Sequence, residues 1–192
     1  VIPLGVIPTP AVAYLTRLYK ADAGVVISAS HNPCEYNGIK FFNGDGYKLS
    51  DGIENEIESY ILGERTIEDL PTHGKVGYVS ANHNATEDYV NFACSTIDCT
   101  LEGIKVAIDC ANGASYQTAF KALNKLGASV EAIHNTPNGV NINDKCGSTH
   151  LESLQSYTVS IGADVGIAFD GDADRMLAVD EKGNVIDGDQ VM

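Results

Sequence analysis

Apolar and polar positions follow two periods along this chain, one typical of helices and one typical of buried strands. Apolar side chains recur every three or four positions in the helical segments, as at Val12, Leu15 and Tyr19. Short unbroken apolar runs, such as residues 25–27 and 165–169, are typical of strands in a parallel sheet. Because the two patterns alternate, the sequence predicts an α/β fold with mixed, mostly parallel sheets.

The predicted elements fall into two groups on either side of residues 65–85, a segment with Pro71, Gly74, Gly77 and several Asn, His and Thr residues. We therefore predict two tandem three-layer α/β domains, at residues 1–80 and 81–192. The chain begins inside a predicted strand at residues 1–7 and stops as a predicted helix opens at Gly188. This pattern suggests a piece of a longer protein whose first domain is incomplete here.

Two further local predictions concern the first domain. The turn signal Asn-Gly-Asp-Gly at residues 43–46 predicts a hairpin between residues 39–42 and 47–49. An acidic helix should follow from Ser50 or Asp51, with isoleucines along one face.

Composition and charge exclude several classes of partner. Of the 192 residues, 12 are Lys or Arg and 26 are Asp or Glu, which gives a net charge of −14. This balance argues against a nucleic-acid partner and against docking on anionic membranes. No apolar run approaches the ~20 residues that span a bilayer. The five cysteines form no C-x-x-C pair, which favours reduced thiols in a cytoplasmic protein.

Three aspartates at alternate positions follow the apolar run 165–169, in the segment Asp-Gly-Asp-Ala-Asp-Arg at residues 170–175. Their carboxylates can converge on one cation outside the carboxyl edge of the sheet, where α/β proteins bind ligands. Like charges this close repel and raise one another's pKa values unless a cation neutralises them. Oxygen ligands alone favour Mg²⁺ or a similar ion over zinc.

Three alternatives stand beside this interpretation. The segment could be a polar surface turn. An EF-hand would place Gly where this chain has Arg175, and helices where its flanks predict strands. A haloacid-dehalogenase-type phosphotransferase also has Asp-x-Asp after a strand, but its fifth position is usually Thr or Val, and here it is Asp174.

Residues 28–33, which read Ser-Ala-Ser-His-Asn-Pro, also follow an apolar run. A hydroxyl beside a histidine can act as a nucleophile, although no acid partner for a hydrolytic triad is identifiable. Taken alone, the segment is typical of a turn. Combined with an aspartate cation site, it supplies the parts of a metal-assisted phosphoryl transfer, in which a serine phosphate would complete the Mg²⁺ ligands.

Several motifs, in order and spacing, resemble the α-D-phosphohexomutase family. They are Thr-Pro-Ala at residues 9–11, residues 28–33 with Asn-Gly-Ile-Lys-Phe at 37–41, and residues 170–175 with Asp-Gly-Asp-Gln at 187–190. Residues 137–143 and 146–150 are similar to the branch that interconverts glucosamine 6-phosphate and glucosamine 1-phosphate through phosphoserine and a 1,6-bisphosphate. The resemblance covers essentially the whole chain.

The resemblance implies a set of site residues. Ser30 matches the phosphoserine, and its phosphate would bind Mg²⁺ together with the three aspartates. Two further residues match groups beside the reacting oxygens, acting as acid, base or charge-stabilising partners, and one matches a cation that contacts phosphate or substrate. The matched residues are Ser30, Asp170, Asp172 and Asp174 for the metal, His31 and Lys40 beside the reacting oxygens, and Arg175 for phosphate.

The resemblance also implies a phosphorylated hexosamine as substrate. It covers the later part of the first and nearly all of the second of the family's four domains, so the substrate-positioning loops have no counterpart here. We therefore expect negligible mutase activity from the isolated chain. The alternatives are the branch that acts on mannose and glucose phosphates, and a noncatalytic cation-binding module. The oligomeric state stays open, with a homodimer as the candidate.

The remaining histidines and cysteines show no spacing typical of metal ligands. We interpret His73, His83 and His134 as surface or loop residues. Cys110 follows a predicted strand and should be a small buried apolar residue.

Overall fold

The computed structural model describes residues 1–81 and 84–191. The interpretation of His83 lies outside the described residues. Within the described part, no helix is both long enough and apolar enough to cross a membrane.

Helices and strands alternate along the chain, which confirms the predicted α/β class. The first half contains α1 (Thr9–Leu18), β1 (Ala23–Ser28), β2 (Gly38–Asn43) and α2 (Asp51–Ile61), followed by a 3₁₀ turn at His73–Lys75. The second half contains α3 (Ala85–Ser95), β3 (Lys105–Asp109), α4 (Ser115–Lys125), β4 (Ser129–Ile133), a 3₁₀ turn at Gly147–Thr149, α5 (Glu152–Ile161), β5 (Val165–Phe169), β6 (Met176–Asp180), β7 (Val185–Ile186) and α6 (Gly188–Val191).

The second half is built on a five-stranded sheet of order β4-β3-β5-β6-β7. Strand β3 pairs in parallel with β4 and with β5, while β6 runs antiparallel to both β5 and β7. Four of the five strands therefore run in one direction, which confirms the mixed, mostly parallel sheet.

Helices cover both faces of this sheet, and successive buried side chains of β3 point alternately to the two helix layers. Val106 and Ile108 lie in a cluster with Leu123 of α4. Ala107, between them, points to the other face and lies in a cluster with Leu154 of α5. This three-layer arrangement leaves the carboxyl ends of β3 and β5 free at one edge of the sheet.

The first half has a two-stranded sheet in which β1 and β2 are antiparallel, from Ala23↔Asn43 to Ser28↔Gly38. Helix α1 packs its buried Val12 and Leu15 in a cluster with Val26 of β1. Strand β1 therefore delivers residues 28–33 to one end of this small sheet.

One local prediction for the first half is wrong, and two are confirmed in part. Residues 1–7 form no strand among the described residues. The predicted hairpin forms a short ladder around the bridge Phe42↔Lys48, in which the N–H of Asn43 donates to the carbonyl of Tyr47, while the other edge of β2 pairs with β1. Helix α2 forms as predicted, but none of its residues is buried, so its isoleucine face packs against no core within the described residues.

Helix α3 holds the two halves together, since it packs against both α1 and α4. The rings of Phe92 in α3 and Tyr14 in α1 stack with their centroids 3.8 Å apart and an interplanar angle of 13°. Val90 of α3 is fully buried. This packing sets the carboxyl end of β1 against the carboxyl end of β5.

Candidate functional site

The loop at residues 170–175 joins β5 to β6 and curls around the carboxylate of its first residue. Oδ1 of Asp170 accepts hydrogen bonds from the backbone N–H groups of Asp174, at 3.2 Å, and Arg175, at 3.1 Å. Ala173 takes a left-handed backbone with φ 55°. The curl turns the three aspartates of the loop toward a common point.

The three carboxylates converge as the sequence predicts. One oxygen from each of Asp170, Asp172 and Asp174 lies within 4.8 Å of the other two. The first two residues are 1% exposed. Among the described residues, Oδ2 of Asp170 and Oδ1 of Asp172 are buried without a hydrogen-bond partner. Because an unpaired buried carboxylate oxygen is costly, these two atoms and their all-oxygen surroundings fit a hard divalent cation.

Two side chains from the first half fix Asp172. Its Oδ2 accepts hydrogen bonds from Nζ of Lys40, at 2.6 Å, and from Oγ1 of Thr9, at 2.9 Å. Burial alone would raise the pKa of this carboxyl, but the two donors outweigh burial and lower it. Burial likewise opposes the Lys40 ammonium, yet its contacts with Asp172 and Asp174 raise the pKa of Lys40. This pair is therefore ionised near neutral pH.

Asp170 behaves in the opposite way. Burial, reinforced by the neighbouring charges of Asp172 and Asp174, raises its pKa to about 6, although a backbone hydrogen bond at Arg175 works against the shift. Asp170, which has no Lys or Arg partner among the described residues, therefore stays protonated to a higher pH than Asp172. Burial is the main cause of this shift, and the repulsion that the spacing of the aspartates predicts adds to it.

The serine loop meets the aspartate loop at close range. Ser30 has a left-handed backbone, with φ 54°, and its N–H donates to Oγ of Ser28 at 2.9 Å. Its hydroxyl lies beside Asp172 and contributes to the lowered pKa of that carboxyl. A Cβ added to Gly171 would lie 2.4 Å from the Ser30 carbonyl oxygen. The two loops can approach this closely because residue 171 has no side chain.

His31 and Arg175 lie at the exposed rim of the site. Nη1 of Arg175 is 3.5 Å from Nδ1 of His31, and its Nε is 3.8 Å from Oδ1 of Asp174. A guanidinium can only donate, so this contact fits the tautomer in which Nδ1 of His31 accepts. All seven predicted site residues therefore lie in one region.

Three side-chain contacts at or behind the site are not predicted from the sequence. Thr9 belongs to the motif at residues 9–11, and its hydroxyl donates to Oδ2 of Asp172 at 2.9 Å. The side-chain amide of Asn143 contacts the serine loop. His134 does lie in a loop, but its Nδ1 is 2.9 Å from Oδ2 of the fully buried Asp109. Each contact joins residues far apart in sequence, so no local pattern indicates it.

The interpretation of Cys110 is confirmed. The residue is fully buried, and burial raises the pKa of its thiol to about 12. Cys110 therefore stays protonated and packs as a small apolar side chain.

Replacing Gly171 with alanine tests the close approach of the two loops. The added Cβ would meet the backbone of Ser30, so Gly171→Ala should lower the free energy of unfolding in urea by about 1–3 kcal/mol. Gly52→Ala is the matched control, because nothing lies within 4 Å of the corresponding Cβ. An unchanged stability for Gly171→Ala would show that the loops are further apart.

The pKa of Asp170 predicts how stability depends on pH without divalent cations. Because the folded pKa of about 6 exceeds the ordinary 3.8, its stabilising contribution is present below about pH 4 and is lost as the pH rises through 6. Measured in EDTA from pH 4 to 7, the unfolding free energy should fall on the order of 2 kcal/mol further in the wild type than in Asp170→Asn. Parallel pH profiles would contradict the assigned shift.

Comparison with known proteins identifies the family along most of the chain. The family description "Phosphoglucomutase/phosphomannomutase, alpha/beta/alpha domain I" matches residues 1–68. The description of domain II of the same family matches residues 80–183. The second match includes the aspartate loop, and the first includes the serine loop and Lys40.

Curated relatives are similar over almost the whole chain. Phosphoglucosamine mutase of Acetivibrio thermocellus is 63% identical over 189 residues, which cover 98% of this chain and 42% of that protein. The enzyme of the same name from Ruminiclostridium cellulolyticum is 63% identical over 194 residues, covering 100% of this chain and 43% of that protein. The chain thus spans less than half the length of these relatives.

Solved structures share the fold at lower identity. A phosphoglucomutase/phosphomannomutase family protein from Burkholderia thailandensis superposes with a TM-score of 0.73 at 22% identity, covering 96% of this chain and 41% of that one. N-acetylphosphoglucosamine mutase of Aspergillus fumigatus, solved with GlcNAc-6P and magnesium, gives 0.51 at 17% identity, covering 94% and 49%. Family matches, relatives and fold agree with the site geometry, and the chain belongs to the phosphoglucomutase/phosphomannomutase family.

Proposed function

We propose that this chain carries the phosphorylated serine and the metal-binding loop of an intramolecular phosphotransferase that interconverts glucosamine 6-phosphate and glucosamine 1-phosphate. The observation that carries the proposal is the placement of Ser30 beside three converging aspartates. The choice of sugar rests on the relatives that are 63% identical and named phosphoglucosamine mutase. The substrate of this reaction is a phosphorylated hexosamine. We place the protein in the cytoplasm.

We assign the two loops to two domains, at residues 1–80 and 81–192, with the site at their junction. The division is supported by family matches that end at residue 68 and resume at residue 80. Because the chain spans 42% of the A. thermocellus relative, we propose that turnover also needs the remaining length of such a protein. A homodimer stays a prediction from the sequence.

Asp170, Asp172 and Asp174 would hold Mg²⁺ together with an oxygen of phosphorylated Ser30. The two partnerless carboxylate oxygens and the all-oxygen donor set support this choice. When bound, the cation supplies positive charge beside the transferring phosphoryl group. The magnesium in the Aspergillus structure belongs to that protein, and its presence agrees with the proposal.

The reaction is balanced without an oxidant or a second substrate. A sugar hydroxyl oxygen forms a bond to the phosphorus on Ser30 as the bond to the serine oxygen breaks. The hydroxyl proton leaves to a base, and the bond electrons stay on Oγ of Ser30, which takes up a proton. The sugar bisphosphate then turns round and returns its other phosphoryl group to Ser30 by the reverse step.

The contacts of Lys40 support one of the roles left open for it. Its raised pKa keeps the ammonium charged, so it stabilises negative charge and can donate a proton, but it is not the base. His31 is the remaining candidate to accept the hydroxyl proton, at Nδ1, once that nitrogen is released from its contact with the Arg175 guanidinium. Arg175 is exposed at the rim, where its guanidinium can form bidentate hydrogen bonds with a phosphate.

A chimera tests this function. This chain would replace its matched residues in the A. thermocellus phosphoglucosamine mutase, and turnover of glucosamine 6-phosphate would be measured. We expect activity from the chimera, a loss of at least about 10³-fold in Ser30→Ala, and negligible turnover from the isolated chain. Ser160→Ala is the control, because among the described residues the Ser160 hydroxyl donates only to the carbonyl of Tyr157 in its own helix.

Two outcomes would contradict the proposal. A fully active Ser30→Ala chimera would show that another group carries the phosphoryl. A folded chimera that does not turn over glucosamine 6-phosphate would show that this chain does not supply the working serine and aspartate loops.

A further inference from the structure

One side-chain amide joins the second half of the chain to the serine loop. Nδ2 of Asn143 donates to the carbonyl oxygens of Ser30 and Asn32, both at 2.8 Å. Asn143 is 8% exposed. The side-chain amide of Asn143 therefore donates both of its hydrogens, one to each of the carbonyls on either side of His31.

Asn143 is itself held in place by the sheet of the second half. Its backbone N–H donates to the carbonyl of Ala111 at 2.9 Å. The N–H of Ala111 in turn donates to Oδ1 of the fully buried Asp109, the last residue of β3. Asn143 has a left-handed backbone, with φ 57°, which asparagine tolerates better than most residues. The amide is thus anchored to the carboxyl end of β3.

The serine loop needs an external support of this kind. Ser30 also has a left-handed backbone, which is unfavourable for serine and persists only where its surroundings fix it. The support lies next to the aspartate loop, because a Cβ at Gly171 would be 2.8 Å from Nδ2 of Asn143. Asn143 therefore touches both loops of the site while it lies outside the set of carboxylates.

We propose that Asn143 is a positioning residue that fixes the serine loop so that a phosphate on Ser30 reaches the cation held by the three aspartates. This inference rests on the proposed function. Asn143 acts through the backbone carbonyls of Ser30 and Asn32 and is not among the residues that would hold the cation. Its removal should therefore weaken the link between serine phosphate and metal while the aspartate site itself persists.

The test measures that link directly. Mg²⁺ affinity would be determined by titration calorimetry for the 192-residue chain with serine or phosphoserine at position 30. In the wild type, phosphorylation should raise the affinity at least about fivefold. In Asn143→Ala most of this gain should disappear, while the affinity of the unphosphorylated chain should stay within about twofold of the wild type.

Two further variants make the result specific. Asn141→Ala removes an asparagine whose side chain, within the described part of the chain, forms hydrogen bonds only in its own loop, with the N–H of Asn138 and the carbonyl of Thr136. It should keep the full gain. Asn143→Asp keeps the size of the side chain but presents acceptors to two carbonyls, so it should lose the gain as Asn143→Ala does.

The outcomes separate this inference from the proposed function. If the wild-type chain binds no Mg²⁺, or gains no affinity on phosphorylation, the proposed function fails and the inference fails with it. If the wild type gains affinity and both Asn143 variants keep that gain, the positioning role is wrong and the proposed function stands. Loss of Mg²⁺ affinity in the unphosphorylated Asn143 variants would also overturn the inference, because it would show general damage to the site.

Discussion

The burial of two neighbouring carboxylates, those of Asp170 and Asp172, is the constraint on which the site depends. Both residues are 1% exposed, and each leaves one oxygen without a hydrogen-bond partner among the described residues. Neighbouring buried charges of one sign raise the free energy of the folded state unless protons or cations compensate them. Lys40 compensates one carboxylate, and the other has its pKa raised to about 6. A divalent cation would relieve both.

The same constraint explains why two halves of the chain meet at this point. Asp172 belongs to the second half, but the lysine and threonine that stabilise its charge come from the first. A backbone hydrogen bond also joins the two halves here, since the N–H of Thr9 donates to the carbonyl of Asp172 at 2.9 Å. On its other side the loop is held by the N–H of Ala114, which donates to the carbonyl of Gly171 at 2.8 Å. The aspartate loop is therefore fixed from both sides.

The sequence predicted the parts of this site that depend on local pattern. An apolar strand followed by aspartates at alternate positions specifies both the position and the chemistry of the loop, and β5 and Asp170 lie as expected. The pairing of β2 with β1 was not predictable, because the turn at residues 43–46 indicates only the local pairing with residues 47–49, whereas the polar segment 29–37 separates β1 from β2. The contacts of Asn143 were not predictable for a similar reason, because an asparagine in a polar loop gives no indication that its amide binds residues more than a hundred positions away.

The most direct measurement is anomalous diffraction from crystals of this chain grown with Mn²⁺, which takes the same oxygen ligands as Mg²⁺. The account predicts one strong peak in contact with the carboxylates of Asp170, Asp172 and Asp174, with an oxygen of the Ser30 side chain or its phosphate beside it. Absence of a peak at the aspartates, or a peak there with Ser30 turned away from the ion, would contradict it.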